Sequence, residues 1–409
     1  MTNILHVWLR GQRLGELEQL RNGRLRLRYD TAALDTYGIG ARPLSLSLPL
    51  TDRRVQGDHL ERYLDNLLPE GSVRGALERE HQIRPGDTFA LLTHIGRECA
   101  GAVQFTTDPA ISGDGHLIDL TDAEVNRIIS ALPTLDPPEG LTVSASLGGM
   151  QAKVLLTRTT RGWAWPADGA MSTHIIKPEP ITDVAVPDLI RWEEWALRLA
   201  RTAGLPAANA ELADFDGRLA LIVERFDRTG ARRAHQEDFA QALGVSARDK
   251  YESTTTERRL QRIAREAGAE ALAPASFVAD ELTQVAFNLI MGNGDAHSKN
   301  YSLAISETAT FSMTPLYDVA PLYLLNEVFQ HFGHHLDGQG RLRHLTAEHL
   351  HREATTWGVA DTAVREVMTS VAARVRAVLP ACHANHIDID RVAQVVDARA
   401  TAMLDIVAS

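Results

Sequence analysis

The sequence predicts an α+β protein with a β-rich front half and a helical back half, and three observations carry the prediction. Short apolar segments punctuated by Gly, Pro and Asn-Gly turns fill the chain up to Arg228. Beyond that point apolar residues recur at helical spacing, most clearly Val364, Val367, Met368, Val371, Val375 and Val378. The chain has 409 residues, too many for one typical core. Layers of different type therefore follow, with an interdomain cleft as the natural ligand site.

Residues 1–106 read as a mostly β subdomain. Leu5-His6-Val7-Trp8-Leu9 runs to Gly11, and a later strand turns at Asn22-Gly23, a two-residue hairpin signal. Leu44-Ser45-Leu46-Ser47-Leu48 alternates strictly and predicts a strand that stops at Pro49. Leu60, Tyr63, Leu64, Leu67 and Leu68 form the stripe of a helix. Residues 107–140 are loop-rich around a capping box, Thr121-Asp122-Ala123-Glu124, and mark the first boundary. Strands resume with Val154-Leu155-Leu156 and with His174-Ile175-Ile176-Lys177, which ends at Pro178. A helix from Asp188 to Ala203 stops at Gly204, and a strand returns at Leu219–Glu224, closing a second segment, 107–228. The third, 229–409, is mainly helical, with a hairpin over Tyr301–Ile305 and Thr310–Met313 and a last helix over Val392–Val407.

Composition excludes several classes. At 44% hydrophobic and 23% charged the chain is not disordered, and no apolar run approaches the roughly eighteen residues of a membrane span. Met1-Thr2-Asn3-Ile4-Leu5 has no signal-peptide character, so a soluble cytoplasmic protein is expected. The two cysteines, Cys99 and Cys382, are far apart and outside any CxxC, which excludes a disulfide framework and a cysteine zinc site. A net charge of -11 argues against an autonomous nucleic-acid binder. Arg24, Arg26 and Arg28, alternating with Leu25 and Leu27, read as a solvated hairpin face rather than a DNA contact. His331, His334, His335, His344, His349 and His351 lack HExxH spacing and read as surface histidines, not a zinc site. Trp192 and Trp195 on one helix read as packing.

The strongest chemical signal is Gly292-Asn293-Gly294-Asp295-Ala296-His297-Ser298-Lys299-Asn300. Phosphoryl transfer to a hydroxyl needs a carboxylate near the attacking oxygen and oxygen ligands for Mg2+. Asp295 and Asn300 are five apart, the separation of the Asp and Asn in a protein-kinase catalytic loop, and Asp318 follows the predicted hairpin where a kinase places its metal-binding Asp. Singly, these residues would serve as turn or helix caps. Upstream come a small-residue turn, Ser146 to Lys153, then Lys177 at the end of an apolar strand, with Glu193 and Glu194 opening the next helix. Glu224-Arg225-Phe226-Asp227-Arg228 lies where strand gives way to helix, the place of an adenine hinge. It is the order of these parts that selects phosphoryl transfer.

With these residues assembled, the chain resembles the HipA family of toxin–antitoxin kinases over most of its length. The resemblance rests on Leu44 to Leu50, Asp65 to Gly71, Gly96-Arg97-Glu98-Cys99-Ala100-Gly101-Ala102-Val103, Ser146 to Lys153, and Thr173 to Lys177. It continues through Glu224 to Arg228, His235-Gln236-Glu237-Asp238-Phe239, Gly294 to Asn300 and Tyr317-Asp318. It implies a bilobal protein-kinase-like fold of the phosphoinositide-kinase branch, with an N-terminal β-rich subdomain and an all-α C-terminal lobe. ATP and Mg2+ are the implied cofactors. Asp295 is the implied catalytic aspartate, His297 occupies a second active-site position, and Asn300 and Asp318 are the implied Mg2+ ligands. Lys177 is implied at the ATP phosphates, Glu224, Phe226 and Asp227 at the adenine hinge, and Gln236 near the nucleoside. Gly148, Gly149, Gln151 and Lys153 are implied in the phosphate loop, which reads Gly148-Gly149-Met150-Gln151-Ala152-Lys153 where the family commonly has Ala-Gly-Ala-Gln-Glu-Lys. Ser146 matches the serine that such kinases autophosphorylate to inactivate themselves; a dianion there would disrupt a loop that must cover another phosphate. Family members act on translation components such as aminoacyl-tRNA synthetases. They are bound by a HipB-like helix-turn-helix antitoxin, through which DNA contact would mainly come, and no membrane is involved. Two other readings stay open: a small-molecule or lipid kinase, which also uses Asp-x4-Asn, and an inactive co-repressor that binds an antitoxin.

Overall fold

The computed structural model describes residues 3–110, 115–132, 151–180, 186–384, 387 and 389–408. Strands β1 (Ile4–Leu9), β2 (Gln12–Gln19), β3 (Leu25–Tyr29), β4 (Val55–Gln56) and β5 (Val103–Thr106) form a five-stranded sheet in the order β4-β3-β2-β1-β5. Period-two alternation buries Leu5, Val7 and Leu9 of β1 with Leu25, Leu27 and Tyr29 of β3. On the other face Arg28 stands opposite Glu16 of β2, 2.6 Å away, and Arg26 pairs likewise with Glu18. Arg24 reaches Glu61 at 3.2 Å. The three arginines carry their own counter-ions, the solvated face that the sequence predicts.

Two expectations need correcting here. Residues 1–106 are not mostly strand, because α1 (Thr31–Tyr37), α2 (Asp58–Asn66), α3 (Gly71–Glu80) and α4 (Thr88–Ile95) contribute Ala33, Leu60, Tyr63, Leu64, Leu77, Leu92 and Ile95 to the same core. Nor is Leu44–Leu48 a strand. Ser45 Oγ accepts the Ser47 N–H at 3.1 Å and the Ser45 carbonyl accepts the Leu48 N–H at 3.1 Å, so local bonds replace a ladder between Pro43 and Pro49. Leu44, Leu46 and Leu48 are buried all the same.

The chain continues with β6 (His116–Asp119), α5 (Asp122–Ala131), β7 (Val154–Thr159), β8 (Gly162–Ala167), β9 (His174–Pro178), α6 (Leu189–Thr202), β10 (Ala210–Phe215) and β11 (Arg218–Glu224). Its second sheet has the order β10-β11-β9-β7-β8-β6. Helix α5 opens with the predicted Thr121–Glu124 capping box and lays Val125, Ile128 and Ile129 against Leu156, Ile176 and Ile222. After β11 come β12 (Arg228–Thr229), β13 (Arg232–Arg233), β14 (His235–Asp238) and the single turn α7 (Phe239–Ala242). The remaining elements are α8 (Arg259–Ala269), α9 (Pro274–Met291), β15 (Ser302–Ile305), β16 (Phe311–Met313), α10 (Leu322–Leu325), β17 (His331–Leu336), β18 (Gln339–Arg341), α11 (Ala347–Thr355), α12 (Asp361–Val378) and α13 (Asp390–Ala408).

Two compact units result. One holds Met1–Glu179, Ala213–Arg248 and Ala304–Thr310; the other holds Pro180–Leu212, Asp249–Leu303 and Phe311–Ser409. In the second, α9 is buried almost continuously from Glu281 to Met291, and α12 turns Val364, Met368, Val371 and Val375 inward as its periodicity predicts. Trp195 donates its indole N–H to the Cys382 carbonyl at 2.9 Å and meets Trp192 edge-to-face. The β17–β18 hairpin adds strand to this helical body. The histidines are not all on the surface: His334 and His351 are buried, and Glu252 lies 3.7 Å from His334. Among the described residues no three or more His, Cys, Asp or Glu side chains group to hold a metal ion, and no helix is long and apolar enough to cross a membrane.

Candidate active site

Helix α9 ends where Gly292 adopts a left-handed backbone, φ 67°, a conformation cheap for glycine alone. The chain then folds tightly on itself. Asn293 donates its amide N–H to Asn288 Oδ1 at 2.8 Å and accepts the Asp295 N–H on its own Oδ1 at 3.1 Å. The Asp295 carbonyl accepts both the His297 N–H, at 2.7 Å, and the Asn300 side-chain N–H, at 2.8 Å. Asp295, His297 and Asn300, paired in the sequence only by spacing, are thus brought together. Two glycines let neighbouring backbone approach the loop: a Cβ at Gly294 would lie 2.7 Å from the Phe329 carbonyl, and one at Gly333 would lie 2.1 Å from the Ala296 carbonyl.

The electrostatics set distinct roles. The Asp295 side chain is 34% exposed, whereas that of His297 is 6% exposed with Nε2 3.7 Å from Asp295 Oδ1. Burial pushes the His297 imidazole down to about 3, the Lys250 cation adds to this, and Asp318 opposes it. His297 is therefore neutral near pH 7. Its Nδ1 accepts the Lys299 N–H at 3.3 Å, which puts the ring proton on Nε2, the nitrogen nearer Asp295.

Asp318 follows β16 in a left-handed conformation, φ 56°, held from both sides. Tyr317 donates its hydroxyl to the Lys299 carbonyl at 2.8 Å, and Asn293 Nδ2 lies 3.5 Å from the Asp318 carbonyl. The Asn300 amide nitrogen is committed to Asp295, so its carbonyl oxygen is the ligand-capable atom. That oxygen and the Asp318 carboxylate are hard donors of the kind Mg2+ takes, and the residues fit the ion. One residue of this constellation has no signal in the sequence. Tyr251, 44 positions before Asp295, donates its phenolic O–H to Asp295 Oδ1 and meets the His297 ring edge-on with centroids 5.0 Å apart.

The first unit holds the remaining candidates. Lys177 is 7% exposed on β9, opposite Leu221 of β11. Glu224 is exposed at the end of β11, Phe226 and Gln236 are half-buried, and Gln151 and Lys153 lie half-buried just before β7. Ser146, Gly148 and Gly149 lie outside the described residues. The Asp227 carboxylate and carbonyl both face protein. The carboxylate receives Arg225 at 2.8 and 2.9 Å and the Gly101 N–H at 2.7 Å, while the carbonyl accepts the Ala234 N–H at 2.9 Å. Burial alone would raise this carboxyl; Arg225 and Arg228 hold it well below the usual range. The same two arginines reach Glu98 at 3.0 Å, joined there by Arg233. Glu98 also accepts the Ser172 hydroxyl at 2.7 Å. The segment Gly96–Val103 is therefore tied through Glu98 and Gly101 to a buried ionic cluster with Arg225, Asp227 and Arg228.

Comparison with known proteins gives a consistent result. The model of the HipA-like C-terminal domain matches residues 145–379, and that of the HipA N-terminal domain matches residues 5–106. The protein Y4mE of Sinorhizobium fredii is 36% identical over 332 residues, covering 77% of this chain and 76% of its own. The serine/threonine-protein kinase toxin HipA of Shewanella oneidensis is 31% identical over 314 residues, 73% of this chain and 71% of its own. Among solved structures, the complex of HipA, HipB and operator DNA from Shewanella oneidensis MR-1 matches with a TM-score of 0.79 and 28% identity, over 98% of this chain and 96% of that one.

Proposed function

The chain belongs to the HipA family of kinase toxins, and from that premise we propose that it is an ATP-dependent protein serine/threonine kinase acting on a translation component such as an aminoacyl-tRNA synthetase. The observation that carries this reading is the loop from Asn293 to Asn300, which fixes a half-exposed carboxylate, a neutral imidazole and an amide within one hydrogen-bonded turn. Asp295 accepts the proton of the acceptor hydroxyl as its oxygen bonds to the γ-phosphorus; the bond from phosphorus to the β–γ bridging oxygen breaks and ADP leaves. His297, being neutral, acts as a hydrogen-bond donor rather than a cation. Asn300 and Asp318 would hold Mg2+, which supplies charge neutralisation on the phosphate oxygens. Lys177 contacts the ATP phosphates, Glu224 and Phe226 serve the adenine, Gln236 lies near the nucleoside, and Gly148, Gly149, Gln151 and Lys153 cover the phosphates. On this reading 1–106 is an accessory subdomain, 107–228 the nucleotide-holding lobe and 229–409 the lobe carrying the catalytic loop.

The regulatory part of the proposal is that phosphorylation of Ser146 inactivates the enzyme and that a HipB-like helix-turn-helix antitoxin binds it. The relative from Shewanella oneidensis was solved with HipB and operator DNA, which supports that partner, and a net charge of -11 favours DNA contact through the partner. Incubation with γ-labelled ATP, Mg2+ and cell lysate is the test. Label is expected in a lysate protein and, by phosphopeptide mapping, on Ser146; label in small solutes alone would instead support a small-molecule or lipid kinase.

A further inference from the structure

Tyr251 is set on Asp295 by a scaffold of its own. On one side the Lys250 carbonyl accepts the Ser298 N–H at 3.0 Å and Arg259 Nη1 at 3.1 Å. On the other the Glu252 N–H reaches the Gly333 carbonyl at 2.8 Å, and the buried Glu252 carboxylate accepts the Arg259 N–H at 3.0 Å and the His335 N–H at 2.7 Å. Gly333 in turn rests on the Ala296 carbonyl. Both neighbours of Tyr251 are therefore tied to the catalytic loop or to the strand packed on it. Core packing does not account for the tyrosine itself, which is 39% exposed while Glu252 and His297 are buried.

We propose that Tyr251 is a positioning residue of the transfer reaction, holding one oxygen of the Asp295 carboxylate so that the other is presented to the acceptor hydroxyl. The inference rests on the kinase reading above. The terminal torsion of an aspartate is broad, so the carboxylate needs an external bond to select which oxygen faces the acceptor. Tyr251 supplies that bond to Oδ1. The His297 Nε2–H, at 3.7 Å from the same oxygen, is too long to do so alone. Fixing the carboxylate before the acceptor arrives removes a rotational cost from the barrier, so the effect belongs in turnover rather than in nucleotide affinity.

The test compares Tyr251→Phe, which keeps the ring and its packing, with the unsubstituted chain and Asp295→Asn. Transfer from ATP–Mg2+ is followed as label in lysate protein and as phosphate released to water. The expected result for Tyr251→Phe is a kcat lower by about tenfold, the size of one hydrogen bond to a charged group, with KM for ATP unchanged. A kcat equal to the parent's, or a change confined to KM for ATP, overturns the inference. Loss of transfer in Asp295→Asn with full activity in Tyr251→Phe removes Tyr251 and leaves the kinase reading standing. No transfer by the parent chain removes the kinase reading and this inference with it.

Discussion

The chemistry of Asp295 depends on its neighbours as much as on its own carboxylate. Asparagine at this position would keep the volume and an oxygen for the Tyr251 hydroxyl but would have no basic site for a proton. Asp295→Asn is therefore expected to lower ATP-dependent label incorporation by about a hundredfold or more, roughly 2.7 kcal/mol in the barrier; near-normal turnover would take the role from Asp295. The Asp295-x4-Asn300 pair was legible because the loop is local, its bonds running between residues two to five apart. Tyr251 was not, because a pairing across 44 positions leaves no periodicity to read. The burial of the Asp227 carboxylate was not legible for a related reason. The pentapeptide Glu224–Arg228 does not say which side chains face inward, and the Gly101 N–H that Asp227 accepts is 126 positions away.

At the scale of elements, local signals served where the backbone satisfies itself. The capping box of α5, the stripe of α12 and the glycine stop after α6 all appear where they were expected. Leu44–Leu48 failed because strict alternation is a β signal only when a neighbouring strand exists, and here the partners are side chains. Glu237 accepts the Leu46 N–H at 2.8 Å, and His235, whose Nδ1 accepts the Ala102 N–H at 3.2 Å, donates Nε2–H to the Leu44 carbonyl at 2.8 Å. Burial pushes the Glu237 carboxyl from 4.5 up to about 8. The folded chain keeps this proton where the unfolded chain has released it, so the contribution is whole below 4.5 and is lost as pH rises to about 8. Glu237→Gln keeps an acceptor for Leu46 and does not titrate. Its melting temperature is expected to exceed the parent's at about pH 9 and to fall less on going there from about pH 6. Parallel profiles for the two chains would contradict this.

At the scale of the whole molecule, a ligand that binds the native chain and not the unfolded one stabilises it by linkage, about 2.7 kcal/mol at a hundredfold excess over Kd. ATP with Mg2+ is expected to raise the melting temperature, and Lys177→Met to lose most of that rise. Thermal denaturation with and without nucleotide reads both, and a parent chain that does not respond would count against nucleotide binding. The acidic balance of the chain has its counterpart in packing as well. Arg24, Arg26 and Arg28 are neutralised by Glu61, Glu18 and Glu16, and Arg225 and Arg228 by Glu98 and Asp227.

The sequence by itself determined the capping box of α5, the glycine stop after α6, the buried stripe of α12, the kinase-like order of motifs and the family, because each is written in local spacing or in motifs. Only the tertiary structure decided which charged residues are buried, that Leu44–Leu48 is held by side chains, and that Tyr251 meets Asp295. Such contacts close loops of tens to hundreds of residues, and their stability comes from burial and complementary charge at a distance, which no local pattern records.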